Sequence, residues 1–459
     1  MIPGAVERLL AARRGLMPPS SMADYRAARK LEAEGGCGVV GFASTKPLEG
    51  RYLYRALHQM RNRGNGKGGG IAAAGLLPEA LGVERRLIEE DYILQVAYLR
   101  EEVRERVEGL VACRYEVDHV ERVKEAKHYT ELGLEVRPPA VYRYYVRPRQ
   151  EELERFVQGA GLYELEQDYC SDEFAYRTSV ELNRRFYHEL PPSEKAAFVL
   201  STGKNLLVFK LVGYGHQVVQ YYGLDHFPAH VWIGHHRYPT KGRIWHPGGA
   251  HPFVGVHDAL VHNGDFANYH AITEYLRQRG YAPLFHTDTE VAMLLFDLWS
   301  RVYRLPLEYV LEAMAPTSER DFLMLPPERR AVYRLLQYAT IHGSPDGPWF
   351  FIIARSLPRQ RQVQLLGITD TSMLRPQVFA LLEDTLSLGL IASEKQAIDA
   401  TLSSLHEDAR IASAVADAYW FARGGSHTDG GAFVFSVDLS SQPARLSCRN
   451  KFGEEIRAG

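Results

Sequence analysis

The chain has 459 residues, which at about 150 residues per domain corresponds to roughly three domains. Its 54 Lys and Arg nearly balance its 56 Asp and Glu, giving a formal net charge of −2, and 46% of the residues are hydrophobic. This composition is ordinary for a globular protein, and the near-neutral charge provides no basic field to hold nucleic acid.

The cysteine pattern and the lack of long apolar runs exclude further classes. The four cysteines are Cys37, Cys113, Cys170 and Cys448, and no two of them form a CxxC pair. A disulfide scaffold is therefore excluded, and zinc ribbons or iron–sulfur clusters lack obvious ligands. No run approaches the ~18 apolar residues of a membrane span, and the first residues lack the apolar core of an export signal. We expect a cytoplasmic protein that does not bind membranes.

The N-terminal part of the chain predicts two strands flanking a helix. Residues 1–36 are rich in Ala and Arg, and a Pro-Pro pair breaks any helix there midway. VVGFAST is an apolar, β-branched run typical of a buried strand, and residues 51–62 have helical spacing. A glycine-rich loop, 63–70, separates this helix from a second predicted strand, IAAAGLL.

Residues 80–200 differ in composition, because they are rich in Glu, Arg and Tyr. The patterns of residues 91–110, 151–167 and 193–207 favour helices, and VYRYYVRP between them favours a strand. No repeat period is present. We interpret this segment as a large mixed insertion rather than as a separate catalytic unit.

The remaining chain returns to strands, with helices between them. NLLVFKLVG, HVWIGHHRYP and DALVHNGDF predict strands, and helices are expected at about 268–280, 289–303 and 306–340. The last third contains WFFIIARS, RQVQLLGIT, TLSLGLIAS and AFVFSVD, which all predict strands. Many short strands with intervening helices indicate an α+β fold of mostly antiparallel sheets.

Cys37 is the candidate nucleophile, although a lone cysteine is more often a small buried hydrophobe. No His or Asp lies within several residues of it to serve as a base. Cleavage between Gly36 and Cys37 would place an α-amino group, with a pKa of about 8, on the nucleophile itself. The two preceding glycines provide a flexible, low-bulk segment for such a cleavage.

Six motifs occur in order: GCGVVGF, RALHQMRNRGNGKGGGIAAAG, GHHRYPTKG, GGAHPF, VHNGDFANY and TDTEV. Together they resemble the class II glutamine amidotransferase domain, and most of all the free-standing amidotransferase domain of glutamate synthase. The resemblance implies a four-layer αββα N-terminal-nucleophile hydrolase sandwich with the large insertion at about 80–200. It also implies a propeptide at 1–36, a catalytic domain at 37–440 and a C-terminal tail at 441–459.

By the same resemblance, Arg237 and Thr240 bind the α-carboxylate of glutamine. A guanidinium forms two parallel hydrogen bonds to a carboxylate, and a hydroxyl adds one more. The competing interpretations are a surface arginine at a strand end and a threonine that stabilises a turn. The resemblance assigns catalytic roles to Asn263 and Gly264, as donors to the oxyanion that forms on the amide carbonyl. Asn-Gly is, however, also the strongest short signal for a hairpin turn.

Asp288 is the candidate for the α-ammonium of glutamine. Thr287 and Glu290 have the spacing of a capping box, which leaves Asp288 available at the start of a helix. An aspartate in a first turn is also favoured by the helix dipole alone. The glycine-rich loop lacks the context of a phosphate or dinucleotide cradle. The resemblance implies that Arg63 and Gly64, in this loop, support the pocket of the nucleophile.

The dense histidines require a metal site to be considered. They are His235, His236, His246, His251, His257 and His262. Adjacent histidines in a strand point to opposite faces, and no HExxH motif occurs. We therefore expect structural hydrogen bonding rather than a metal.

The resemblance implies a subunit that hydrolyses L-glutamine to glutamate and ammonia through a cysteine thioester. No phosphoribosyltransferase loop, SGGxDS motif or FMN-binding barrel follows the amidotransferase motifs. We therefore expect no cofactor in this chain, and an ammonia-accepting partner chain that contains FMN, as in glutamate synthase. The alternatives are an uncleaved, non-catalytic regulatory or scaffold subunit and another amide hydrolase on the same fold.

Overall fold

The computed structural model describes residues 36–237 and 246–457. The strands are β1 (Gly38–Glu49), β2 (Gly69–Leu76), β3 (Tyr92–Tyr98), β4 (Tyr115–Arg122), β5 (Ala140–Pro148), β6 (Ala197–Gly203), β7 (Leu206–Leu211), β8 (Pro228–His236), β9 (Phe253–Val254), β10 (Asp258–Gly264), β11 (Trp349–Leu357), β12 (Gln362–Thr369), β13 (Val378–Glu383), β14 (Ser387–Ala392), β15 (Ala418–Trp420), β16 (Ala432–Asp438), β17 (Arg445–Asn450) and β18 (Glu455–Ile456).

The helices are α1 (Gly50–Gln59), α2 (Pro78–Leu81), α3 (Arg85–Glu89), α4 (Arg104–Arg114), α5 (Gln150–Ala160), α6 (Gln167–Asn183), α7 (Gly215–Tyr221), α8 (Tyr269–Arg277), α9 (Asp288–Asp297), α10 (Leu307–Met314), α11 (Glu319–Met324), α12 (Pro327–Thr340) and α13 (Lys395–Glu407). The predicted α+β class with antiparallel sheets is confirmed.

Two seven-stranded antiparallel sheets form the centre of the fold. Their strand orders are β15-β13-β14-β1-β8-β2-β7 and β18-β17-β16-β12-β11-β10-β9. Helices α1, α7 and α13 pack on the first sheet, and α9 packs on β9 and β10 of the second. These four helices therefore pack against the two sheets.

Alternate side chains of β1 belong to two different apolar clusters, one on each face of the first sheet. Val39 and Ala43 lie in the apolar cluster between the two sheets. Val40 and Phe42 belong instead to the cluster that includes Leu57 of α1. All five side chains are fully buried, so both faces of β1 are covered and its sequence is continuously apolar.

The predicted insertion contains a third sheet, with the order β4-β5-β3-β6. The helical predictions for 91–110 and 193–207 are wrong in part, because β3, β6 and β7 occupy much of these segments. β3 is buried along its whole length, with Ile93 facing the central core and Leu94 facing the helices of the insertion. A strand buried on both faces lacks alternation, so periodicity alone does not distinguish it from a buried helix.

The C-terminal residues predicted as a tail, 441–459, contain β17 and β18 as far as they are described, and both strands extend the second sheet. Lys451, just after β17, forms a buried salt bridge to Glu312 of α10. Glu312 also accepts hydrogen bonds from the amide and hydroxyl of Thr317. This segment is therefore an integral part of the fold.

Across the described ranges, 36–237 and 246–457, no helix combines the length and apolar character needed to cross a membrane.

Candidate active site

The pairing of β1 with β8 places the candidate nucleophile opposite the candidate carboxylate receptor. Gly38 is registered against His236. Cys37 and Arg237 therefore sit side by side, where the two antiparallel strands leave the sheet. Cys37 is half-buried. The sequence separates these two residues widely, and only the strand order brings them together.

Asn263 reaches the same point from the second sheet. A side-chain carbon built on Gly36 would lie 3.5 Å from Asn263 Oδ1 and 3.6 Å from Arg375 Nη1. Asn263 is 2% exposed, and its Oδ1 has no hydrogen-bond partner within the described residues. A buried amide oxygen without a partner is costly unless a ligand completes it. The Oδ1 of Asn263 can thus accept a hydrogen bond from a donor beside Cys37, whereas an oxyanion would need the amide nitrogen of the same side chain.

Asn263 and Gly264 do not form a hairpin turn. Both end β10, where they pair with Phe350 and Trp349 of β11, and helices α8–α12 lie between these two strands. Gly264 has φ of +139°, and a side-chain carbon there would lie 2.1 Å from the carbonyl oxygen of Pro348. The backbone itself therefore requires glycine at this position, in addition to any approach of a substrate.

Arg237 is a buried cation with unused hydrogen-bonding capacity. Its side chain packs on Gly68, and the residue is 8% exposed. Nη1 is buried and has no acceptor among the described residues. Burial lowers the pKa of the guanidinium below its ordinary value, while the nearby Cys37 and Asp288 act in the opposite direction. The other predicted carboxylate ligand, Thr240, lies outside the described residues.

Asp288 is the first residue of α9, and its side chain is 25% exposed. Burial tends to raise the pKa of its carboxyl, but His262 and the amides of Thr289 and Phe266 hold that pKa below its ordinary value. His262 Nδ1 lies 3.7 Å from Asp288 Oδ1. The carboxylate is therefore kept ionised close to Arg237, as the receptor of an ammonium group must be.

The predicted capping box at the start of α9 forms only in part. Thr287 Oγ1 accepts a hydrogen bond from the amide of Glu290 at 3.1 Å. The Glu290 carboxylate does not return to Thr287; it accepts the amides of Leu284 and Phe285 at 2.6 and 2.7 Å. Thr287 alone thus caps the helix, and Glu290 fixes the segment that precedes it.

Arg63 and Gly64 lie behind the nucleophile. Arg63 forms a salt bridge to Glu394, which lies two residues after the end of β14. A side-chain carbon on Gly38 would lie 3.1 Å from Cβ of Arg63, and one on Gly64 would lie 2.9 Å from Cβ of His236. The glycine-rich loop therefore packs directly against β1 and β8, next to Cys37.

The histidines mainly make structural contacts. His236 bonds the carbonyl of Leu57 at 2.6 Å and accepts the amide of Gly215 at 2.9 Å. His251 bonds the Thr289 hydroxyl at 2.7 Å and stacks on His235 with ring centroids 3.9 Å apart. Within the described part of the chain, no group of three or more His, Cys, Asp or Glu side chains is arranged to hold a metal ion.

Sequence reasoning missed two contributors to this site. Arg375 bonds the carbonyl of Pro348 at 3.3 Å and Asp265 at 3.4 Å, so it joins the loop after β12 to the end of β10. Ser393 accepts the amide of Val39 at 3.2 Å and holds β1 immediately after Cys37. Both residues lie in the stretch LRPQVF…GLIASEKQAI, but nothing in that pattern indicates which side chains reach the nucleophile.

Comparison with known proteins identifies sequence relatives. An uncharacterised protein of Archaeoglobus fulgidus is 28% identical over 374 residues, which cover 80% of this chain and 88% of that protein. Glutamine–fructose-6-phosphate aminotransferase (isomerizing) of Campylobacter jejuni is 39% identical over 69 residues, and that of Acidithiobacillus ferridurans is 32% identical over 165 residues. These matches cover 15% and 33% of this chain but only 11% and 26% of the two enzymes.

Among solved structures, the glutamine phosphoribosylpyrophosphate amidotransferase of B. subtilis aligns with 92% of this chain and 50% of that chain, at 12% identity and a TM-score of 0.38. No protein-family model matches the chain. At a coarse level, the chain is thus similar in sequence to glutamine-dependent amidotransferases over part of its length.

Proposed function

We propose that this protein hydrolyses L-glutamine to glutamate and ammonia, with Cys37 as the nucleophile. The observation that carries the proposal is Arg237, a buried guanidinium beside Cys37 whose Nη1 has no acceptor among the described residues. Asp288, an ionised carboxylate, lies near the same guanidinium. A cation and an anion that lie near each other are complementary to the α-carboxylate and α-ammonium of a free amino acid. The sequence similarity to glutamine-dependent enzymes supports glutamine as that amino acid.

In the proposed mechanism, the Cys37 thiolate attacks the amide carbon, and the carbonyl π electrons move onto oxygen. Asn263 and Gly264 donate hydrogen bonds to this oxyanion. Collapse of the intermediate breaks the C–N bond, and ammonia leaves with the proton that the thiol released. Water then attacks the γ-glutamyl thioester, breaking the C–S bond to give glutamate and the thiol. Arg237, Thr240 and Asp288 hold the substrate throughout.

We further propose that the chain is an N-terminal-nucleophile hydrolase with the four-layer αββα arrangement. The two facing sheets and the helices on their outer faces support this assignment. Removal of residues 1–36 would give Cys37 a terminal amine, which relays the proton between the thiol and the departing ammonia. Gly36, with φ of +122° beside Asn263, would be the last residue removed.

For the acceptor of ammonia, we propose a separate synthase chain of the glutamate synthase type that contains FMN. The support is the motif resemblance. Co-purification tests this proposal: a flavin-containing partner would support it, and an acceptor of another class would replace it.

Ammonia release from L-glutamine tests the proposed function. Cys37→Ala should reduce the rate to background, whereas Cys113→Ala, at an exposed cysteine, should leave it unchanged. Full activity in Cys37→Ala would refute the mechanism. An inactive wild-type chain that keeps Met1, alone and with its partner, would favour a non-catalytic subunit. Preference for an amide other than glutamine would indicate a different hydrolase on the same fold.

A further inference from the structure

A second cavity lies apart from Cys37, between the insertion and the central sheets. It is bounded by α6 and β6 on one side and by β7, β9 and the start of α9 on the other, and its volume is about 190 Å³. Such a space holds several waters or one small organic molecule. Phe253, Phe285 and Leu294 make much of the wall apolar.

Lys210, on β7, lines this cavity; the carboxyl of Glu290 lies near enough to attract its charge, but within the described residues the two form no salt bridge. The residue is 3% exposed, and its Nζ lies 4.3 Å from the centroid of the Phe253 ring. Within the described residues, it forms neither a salt bridge nor a hydrogen bond through Nζ. The nearby carboxylate of Glu290 already accepts two backbone amides. An ammonium buried in this way costs several kcal/mol unless an anion joins it.

A second unpartnered polar group lines the same cavity. Thr202, on β6, is 4% exposed, and its hydroxyl has no hydrogen-bond partner among the described residues. A hydroxyl donates readily to a carboxylate. The cavity thus combines a buried cation, a buried donor and an apolar wall, which are the requirements of a small organic anion.

We propose that this cavity binds a small monocarboxylate, with its carboxylate on Lys210 and Thr202 and its apolar part against Phe285 and Leu294. The site is separate from the pocket assigned to glutamine and does not depend on glutamine hydrolysis. Glu290 connects the two regions, because it lines the cavity and lies two residues after Asp288 in α9.

Two buried lysines provide a matched control for the charge argument. Lys451 is also 3% exposed, but it is paired with Glu312. Lys210→Met should leave the thermal midpoint unchanged or raise it, because it removes a buried charge that forms no salt bridge within the described residues. Lys451→Met should lower the midpoint, because it leaves Glu312 uncompensated. A loss of stability in Lys210→Met as large as that in Lys451→Met would show that Lys210 has a structural counterion and would overturn the proposal.

Calorimetric titration of the full chain with butyrate, butyramide and inorganic phosphate tests binding directly. Butyrate should bind saturably, and Lys210→Met should weaken it about 10- to 100-fold, the equivalent of a lost hydrogen bond to a charged group. Thr202→Val should weaken it less, and butyramide should bind poorly to the wild type. Arg237→Met should leave butyrate binding unchanged, because that arginine belongs to the other pocket.

Four outcomes would contradict this inference. Failure of butyrate to bind the wild type saturably, or equal affinity for the wild type and Lys210→Met, would remove the site. Loss of butyrate binding in Arg237→Met would place the ligand in the glutamine pocket. Phosphate binding as tightly as butyrate would overturn the monocarboxylate class. If Lys210→Met does not fold, two other measurements test the site: butyrate binding by Thr202→Val, and the affinity of the wild type for butyrate compared with butyramide.

Discussion

The variant Arg237→Met tests whether Arg237 binds the substrate or only stabilises the fold. Methionine keeps the apolar stem that packs on Gly68, but it removes the guanidinium. Because Nη1 has no acceptor among the described residues, the variant loses no hydrogen bond from that atom within this part of the chain. The free energy of unfolding should therefore stay the same or rise, since a buried charge is removed.

Binding of glutamine should weaken strongly in the same variant. Truncating one partner of a buried, hydrogen-bonded charge pair costs about 2–4 kcal/mol, equal to roughly 30- to 700-fold in affinity. We expect this loss in KM, measured by ammonia release at varied glutamine concentration. The kcat should change less, because the α-carboxylate does not take part in bond breaking.

Two controls make this prediction specific. L-Glutaminamide, which lacks the α-carboxylate, should be a poor substrate for the wild type. The substitution Arg237→Met should raise the KM for L-glutaminamide only slightly. Arg143→Met removes a buried arginine that is salt-bridged to Glu121, so it should lower stability and leave KM unchanged. An unchanged KM for glutamine in Arg237→Met, or equal losses with both substrates, would refute the receptor role.

Three further predictions concern stability. Gly264→Ala should lower the free energy of unfolding by about 2–4 kcal/mol, because φ is positive and a backbone oxygen lies 2.1 Å from the added carbon. Gly82→Ala, with positive φ but nothing within 4 Å, should cost only about 1 kcal/mol; equal costs in urea denaturation would contradict the steric argument. Lys451→Met should cost about 3–5 kcal/mol, and adding Glu312→Gln should restore part of it; no recovery in the double variant would refute the pairing. Burial lowers the pKa of Lys210 to about 7, below the ~10.4 of an unfolded lysine. Between these two pH values Lys210 is protonated in the unfolded chain but largely neutral in the folded one, so the stability of the wild type rises with pH. Lys210→Met should lack this rise, and parallel stability profiles from pH 7 to about 10 would contradict it.

The residues of the candidate site can be singled out in the sequence, but their assembly cannot be predicted from it. Motif order and the family resemblance point to Cys37, Arg237 and Asn263, and their roles stay predictions. Their meeting point depends on the register of β1 against β8 and on the approach of β10 from the second sheet. The local sequence predicts neither this register nor this approach, because β1, β8 and β10 are far apart in the chain and meet only in the folded protein.

The wrong secondary-structure predictions share a physical cause. β3 and β6 are covered on both faces, so their sequences carry no alternation between buried and exposed positions. Lys210 also lies in a strand that is buried along its whole length, within the apolar run NLLVFKLVG, where its charge is the only irregular feature. The sequence shows a single lysine inside an apolar run, but only the structure shows that this lysine lines a cavity.

Gly264 shows a different limit. The Asn-Gly pair suggested either a tight hairpin or close approach of a substrate. The structure adds the proximity of the Pro348 carbonyl, which belongs to a segment distant in sequence. One residue type therefore satisfies a backbone requirement and a proposed catalytic one at the same position.

The most direct measurement of the central claim is rapid-quench mass spectrometry of the chain mixed with L-glutamine. We expect a γ-glutamyl adduct on Cys37, located in a peptide that begins at that residue. The adduct should be absent in Cys37→Ala and present in Cys113→Ala. Undiminished ammonia release with no adduct, or an adduct on another cysteine, would contradict the account.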